Sequence, residues 1–212
     1  MAKNNTKKIP TIERCARYYH FLLGGNGIRP DGTIASSVLA KCANVDDSQV
    51  RKDLASIGVK GTPRVGSNAA EVMESIESAL AYDQCHRAVV IGVGRLGSAL
   101  ACYPGFTRCG LAIVGLFDAS SKLVGSQVGG TVVQHVDRLP SVIKRRGVRI
   151  AAITTPAAAA QSVADTCVAA GVAAIWNFAP VAVEVPEGIV LRNENLSVGL
   201  AVILAQLGRV SV

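Results

Sequence analysis

The sequence predicts an α/β chain in two parts, a small helical domain followed by a doubly wound parallel sheet, and three observations carry that expectation. A β-branched apolar run, Ala88-Val89-Val90-Ile91, flows directly into Gly92-Val93-Gly94-Arg95-Leu96-Gly97. From Arg87 onward apolar runs alternate with helix-like stretches, the pattern of successive βα units covered on both faces. Ahead of that point the apolar residues recur at helical spacing, so a separate helical module precedes the sheet.

Thr11 to Leu23 places Ile12, Cys15, Ala16, Tyr19, Leu22 and Leu23 on one helical stripe, and Gly24-Gly25-Asn26-Gly27 stops it. Ile34 to Cys42 reads as a short second helix and Ala43-Asn44-Val45 as a tight turn. A third helix opens on Asp46 with Gln49 three residues on, as in a capping box, and ends at Gly58. Val50, Leu54 and Ile57 line its inner face, which leaves Ser48, Gln49, Arg51, Lys52 and Ser56 outward. The basic, Gly-punctuated stretch from Gly58 to Gly66 then suggests a hairpin beside that helix, with Lys60 and Arg64 upon it. Together these elements have the grammar of a winged helix-turn-helix, whose third helix offers side chains to base edges while the wing meets phosphates. The competing reading is a three-helix cap with a solvated charged face. Ala69 to Tyr82 is one more amphipathic helix, and Asp83-Gln84 reads as a joint.

In the second part, strands are expected at Ala88 to Ile91, Leu111 to Asp118, around Val132-Val133, at Ile150 to Thr154 and at Ala173 to Asn177. Helices are expected at Leu96 to Tyr103, Asp137 to Arg146 and Ala157 to Ala170. Asn195 to Gly208 is a final apolar helix bare of charge, which needs a partner surface. The expected domains are therefore residues 1–84, 85–194 and 195–212.

Length and charge bound the function. A chain of 212 residues accommodates two small domains. Of its net +7, residues 1–70 hold 11 Lys and Arg against 5 Asp and Glu, and the remainder 11 against 10. That excess favours a polyanionic partner for the front module; the alternative is a solvated tail around Lys3, Lys7 and Lys8. The six cysteines, Cys15, Cys42, Cys85, Cys102, Cys109 and Cys167, form no C-x-x-C pair, which suits reduced cytosolic thiols. With no signal-like opening and no apolar run of about 18 residues, a cytoplasmic protein without membrane or metal partners is expected.

The Gly92 to Gly97 stretch matches G-x-G-x-x-G between a strand and a helix, and Phe117-Asp118 closes the next strand. Gly92 suits the tight turn, Gly94 the close approach of a pyrophosphate, and Gly97 the packing of helix on strand. The Asp118 carboxylate would accept the adenosine ribose hydroxyls and repel a 2′-phosphate, favouring NADH and NAD+ over their phosphorylated counterparts, with Lys122 the one softening feature. This is a Rossmann-like grip, yet the chain offers little chemistry beside it. His20, His86 and His135 sit in no evident catalytic pairing, and no catalytic residue is assigned; a sensor is expected in preference to an enzyme.

In order along the chain, Gln49-Val50-Arg51-Lys52-Asp53-Leu54 with Ile57-Gly58, the Gly61 to Gly66 loop, Gly92 to Leu100, Tyr103-Pro104-Gly105-Phe106, Val124-Gly125 with Gly129-Gly130, Thr154-Thr155-Pro156 to Ala160-Gln161, and Asn177-Phe178-Ala179-Pro180 resemble the Rex family of redox-sensing transcriptional repressors. The resemblance spans nearly the whole chain. It implies a homodimer that binds a palindromic double-stranded DNA operator when NADH is low, with NAD+ competing for the pocket yet permitting DNA binding. By the same resemblance Gly92, Val93, Gly94, Arg95, Leu96 and Gly97 hold the pyrophosphate, Thr155 and Pro156 line the cleft, Tyr103 lies near the nicotinamide, and the helix from Asn195 is swapped between subunits. Ser48, Gln49, Arg51, Lys52, Lys60 and Arg64 are the expected DNA contacts. The implied switch joins Arg14, Tyr103 and residue 195, where this chain has Asn195 in place of the family's acid. The wing also departs, with Pro63-Arg64 in place of an arginine followed by glycine, and Ser67 in place of a frequent tyrosine. Two other classes stay open: an NAD-dependent oxidoreductase or coenzyme A-binding ligase subunit, and a thiol regulator using Cys102 or Cys109.

Overall fold

The computed structural model describes residues 9–208 and divides into two units, Met1–Gln84 and Cys85–Val212. Lys3, Lys7 and Lys8 of the basic tail, and the end of the chain beyond Gly208, lie outside the described residues.

In the first unit, α1 (Ile9–Leu23) buries Cys15, Tyr18, Tyr19 and Leu22, the i, i+3, i+4, i+7 stripe of an amphipathic helix. A two-residue strand β1 (Thr33–Ile34) follows, then α2 (Ser36–Ala43), closed by Asn44 in the left-handed region at φ 55°. Helix α3 (Asp47–Ser56) is capped by Asp46, whose carboxylate accepts the Gln49 N–H at 2.9 Å. The strand β2 (Ser67–Asn68) pairs antiparallel with β1. In α4 (Ala69–Leu80) the cap is Asn68, whose Oδ1 accepts from Ala70 and Glu71. Ile34, Leu39, Val50, Leu54, Val72 and Ile76 meet α1 in one core, and the Tyr19 hydroxyl donates to Glu77 at 2.7 Å.

Two expectations for this unit are corrected. Ile34 belongs to a strand, because Asp31 folds the preceding backbone by accepting from the Thr33 N–H and hydroxyl; the helix starts two residues later. The stretch from Gly58 to Gly66 forms no hairpin of its own strands. It closes only at Thr62 and Gly66, which exchange backbone hydrogen bonds of 2.8 and 3.0 Å around Arg64 at φ 65°. The outgoing arm, Ser67 and Asn68, pairs with β1 instead.

The second unit is a seven-stranded sheet in the order β5-β6-β4-β3-β7-β8-β9. Its strands are β3 (His86–Ile91), β4 (Leu111–Asp118), β5 (Gln127–Val128), β6 (Thr131–His135), β7 (Ile150–Ile153), β8 (Ala174–Asn177) and β9 (Val190–Asn193). All neighbours are parallel except the β5–β6 pair. Helices α5 (Arg95–Ala101) and α6 (Gly105–Arg108) join β3 to β4. On one face α7 (Leu139–Arg146) and α8 (Ala157–Ala170) bury Leu139, Ile143, Ala160 and Ala164 against Val89, Ile91, Phe117, Ala151 and Ile153. On the other face Val90, Leu116, Val133 and Ala152 pack with Ala101 and Ile113. β5 and β9 escaped the sequence reading: β5 is two residues before Gly129-Gly130, and the turns at Pro180 and Pro186 mask β9. The last helix, α9 (Leu196–Leu207), leaves Val198, Leu200, Val202, Ile203, Leu204 and Leu207 between 54% and 61% exposed.

Candidate functional site

The sheet order places β3 beside β7, and their connections run in opposite directions, to β4 and to β8. Such a switch point opens a crevice at the carboxyl ends of the strands. Gly92 leaves β3 at φ 93°, and a Cβ there would come within 2.8 Å of the Thr154 carbonyl and 2.9 Å of the Thr155 nitrogen. The Thr154 hydroxyl donates to the Gly92 carbonyl at 2.6 Å, and the Thr154 N–H to the Ile91 carbonyl at 2.8 Å. A Cβ on Gly97 would collide with the Gly92 carbonyl oxygen. Gly94, the N-cap of α5, has nothing within 4 Å of its Cβ direction. Two of the three glycines are therefore demanded by the chain itself, while Gly94 leaves open the space that a ligand needs.

Asp118 ends β4 with each carboxylate oxygen already oriented: Oδ2 accepts the Val93 N–H at 2.7 Å and Oδ1 the Ser120 N–H at 2.8 Å. Each oxygen retains a lone pair for a hydroxyl donor. The crevice encloses about 570 Å³ and is lined by Gly92, Asp118, Asp137, Pro140, Thr155 and Pro156, among others. The Thr155 hydroxyl is buried without a hydrogen-bond partner among the described residues, an unmet polar group of the kind a bound ligand satisfies. Glycine-made room, a presented carboxylate and this hydroxyl together fit a dinucleotide.

Gly92, Asp118, Thr155 and Pro156 thus meet at one crevice; Val93 is tied to Asp118, Gly94 caps α5, and Arg95, Leu96 and Gly97 lie in its first turn, none of these five lining the crevice. Asp137 and Pro140 were not singled out from sequence; their signal is position, just past a strand parallel to β4. Tyr103 does not line the crevice. It is 56% exposed, packs edge-on to Phe106 at 4.9 Å, and begins an aromatic row that continues through Trp176 and Phe178.

In the first unit a hollow of about 760 Å³ lies between the start of α2, one face of α3 and the Lys60 to Val65 loop, and Arg29, Arg51, Lys60 and Arg64 line it. Arg29 donates to the Val65 carbonyl at 2.5 Å, which braces the loop. Arg51 pairs with Asp47 one turn earlier, but an exposed pair of this kind is worth only about 0.2–1 kcal/mol, little against a phosphate. The Ser48 hydroxyl donates to Asp46, and Lys52 is exposed. Divided at the observed boundary, residues 1–84 hold 11 basic against 9 acidic side chains and residues 85–212 hold 11 against 6. The basic excess therefore does not belong to the whole front unit, because Glu71, Glu74, Glu77 and Asp83 offset it; Arg29, Arg51, Lys60 and Arg64 are the cations that share the hollow.

Of the three residues expected from the sequence to form a switch, Arg14 is held by Asp53 through Nε at 2.6 Å and Nη2 at 2.7 Å. Asn195 caps its own helix by accepting the Ser197 N–H at 2.9 Å. Glu194 accepts from Trp176 at 3.3 Å and Arg192 at 3.0 Å. Asp53 went unnoticed as a partner of Arg14, although an acid between Val50 and Leu54 on a buried stripe signals a paired charge. Burial pushes the Asp53 carboxyl up, and hydrogen bonds from Arg14, Gln49 and Tyr18 more than reverse this, leaving it below its ordinary 3.8. The six cysteines are free thiols, Cys102 exposed and Cys109 partly so. Among the described residues no cluster of His, Cys, Asp and Glu suits a metal ion, and no helix is long and apolar enough to cross a membrane.

Residues 83–181 match the family described as CoA binding domain. Over 200 residues, 92% of each chain, the protein is 42% identical to the redox-sensing transcriptional repressor Rex of Pelotomaculum thermopropionicum. It is also 42% identical over 171 residues to the Rex repressor of Streptomyces coelicolor, covering 81% of this chain and 66% of that one. Among solved structures, RSP in complex with beta-NAD+ and operator DNA superposes with a TM-score of 0.85 at 31% identity, over 96% of this chain and 93% of RSP. RSP in complex with beta-NADH gives 0.85 at 30% identity, over 96% and 95%.

Proposed function

The chain belongs to the Rex family of redox-sensing transcriptional repressors, and from that premise we propose that it is a homodimer that occupies a palindromic operator while NADH is scarce and leaves it as NADH rises. The observation that carries this reading is the crevice lined by Gly92, Asp118 and Thr155 beside the open Gly94 turn, joined in one chain to a helix and loop carrying Arg51, Lys60 and Arg64. That RSP is known with both beta-NAD+ and beta-NADH, and with operator DNA, supports both halves. The protein acts as a cytoplasmic regulator and not as an enzyme, and needs no metal.

In this reading the turn of Gly92, Val93, Gly94, Arg95, Leu96 and Gly97 holds the pyrophosphate, Asp118 the adenosine ribose, and Thr155 and Pro156 the cleft wall. Tyr103 stands at the nicotinamide side. α2, its turn and α3 act as the helix-turn-helix and the loop after Gly58 as the wing. Ser48 and Gln49 address base edges, while Arg51, Lys52, Lys60 and Arg64 address phosphates and neighbouring edges. α9, with its exposed apolar side chains, serves the dimer by exchange between subunits.

Release by one nucleotide form requires that form to favour the dimer geometry that fits DNA poorly. The two ring states differ by one positive charge, and a site that buries the ring on binding disfavours the cation. Arg14, Tyr103 and Asn195 are the proposed switch positions. The testing experiment is a gel-shift titration of a palindromic duplex: NADH at micromolar concentration should free the duplex and NAD+ should do so far less. Equal release by both would remove the redox-sensing claim. The match to the CoA binding domain favours a second reading only for the sheet unit; displacement of NADH by coenzyme A in the same assay would establish it.

A further inference from the structure

The buried carboxylate of Asp53, 1% exposed, receives four donors: Arg14 Nε at 2.6 Å, Arg14 Nη2 at 2.7 Å, the Tyr18 hydroxyl at 3.0 Å and Gln49 Nε2 at 2.9 Å. A carboxylate has about four lone-pair sites, so this one is filled. Three donors come from α1 and fix the carboxylate in place; the fourth is a side chain on α3 itself. The backbone N–H of Gln49 is meanwhile committed to Asp46 at 2.9 Å. The capping box read from sequence is therefore only half made: the Gln49 side chain turns away from the cap and towards Asp53, and the residue is pinned at both ends.

A primary amide with one N–H spent on a carboxylate keeps a second N–H and its carbonyl oxygen. Those two groups, side by side, match the N7 acceptor and N6 donor of adenine in the major groove. An unanchored glutamine loses rotamer freedom on contact, whereas an anchored one has already lost it in the free protein. From this geometry we infer that Asp53 is a positioning residue for base recognition: braced by Arg14 and Tyr18, it holds Gln49 as a fixed donor–acceptor pair that reads one adenine of the target duplex. The inference rests on the proposed DNA-binding function, and in particular on α3 entering the major groove. It adds a role for the first helix, whose Arg14 sets the read-out without touching a base.

The test uses the full chain and a set of duplexes in which each A·T pair of the bound site is replaced in turn. The wild-type protein should discriminate at one A·T position by roughly tenfold or more. Gln49→Met and Asp53→Asn should each abolish that discrimination, and the double variant should lose no more than either alone. The slope of affinity against salt should stay unchanged, since no phosphate contact is altered. A uniform loss across all duplexes, or additive losses in the double variant, would mark Asp53 as merely structural and overturn the inference. If Asp53→Asn does not fold, the wild-type side-chain amide protons of Gln49, assigned by their disappearance in Gln49→Met, decide the matter. Slow solvent exchange supports the anchor, and free exchange overturns it. Should the wild-type chain bind no duplex, the functional reading falls and takes this one with it, whatever the amide protons show.

Discussion

Asp118 accepts the backbone N–H of Val93 at 2.7 Å, so the carboxylate that ends β4 and the turn that ends β3 are one hydrogen-bonded piece. The same residue that is proposed to hold a ribose also sets the middle of the glycine turn. Asp118→Ala should weaken NADH binding by about tenfold or more, since hydrogen bonds to a charged group are worth roughly 1.5–3 kcal/mol, while leaving operator affinity intact. Fluorescence titration of NADH and a gel shift without nucleotide check the two halves.

Gly94 and Gly97 should part company on substitution to Ala. Gly97→Ala drives a methyl into the Gly92 carbonyl and should lower Tm by about 5 °C or more, the shift expected of a core clash of one or two kcal/mol. Gly94→Ala meets open space at φ −72°, so the melting curve should hold while NADH affinity falls. Calorimetric melting paired with nucleotide titration separates the cases.

Arg51→Ala should weaken duplex binding while sparing NADH. Its exposed bond to Asp47 costs little to break, so the loss measures the contact to DNA. If that contact is to a phosphate, the salt slope of binding should fall by about one.

Acid should act on the first unit through Asp53. Its carboxyl titrates below 3.8 in the folded chain, so its contribution is fully present above the unfolded value and is lost as pH falls through the folded one. Wild-type stability should therefore fall more steeply than that of Asp53→Asn as the pH drops through 3.8 and below. At neutral pH that variant should be weaker by about 3 kcal/mol, the usual result of removing one member of a buried pair. Denaturant titrations across this pH range test both.

Cys102→Ser with Cys109→Ser should leave NADH-driven release unchanged, because the crevice proposed for the nucleotide contains neither thiol among its lining residues. A loss of redox response in the double variant would transfer the sensing to sulfur.

What the sequence made legible was whatever depends on period and on glycine. The strands from β3 to β8 with long apolar runs, α8 to the residue, and the crevice around Gly92, Asp118 and Thr155 all follow from such signals. β5 did not, since two residues cannot display a period, and β9 did not, since its four residues Val190–Asn193 form no clear apolar run and follow Pro180 and Pro186. Ile34 was assigned to a helix because the Asp31 turn that makes it a strand acts through side-chain hydrogen bonds. The wing was drawn as a hairpin because the pairing of β2 with β1 spans more than thirty residues, and no local pattern encodes a long-range partner. The Arg14–Asp53 pair was missed for the same reason.

The hydroxyl of Thr154 fastens the glycine turn to the neighbouring strand before any nucleotide arrives. With Gly92 already fixed in this way, the ordering of that turn does not oppose the capture of a dinucleotide.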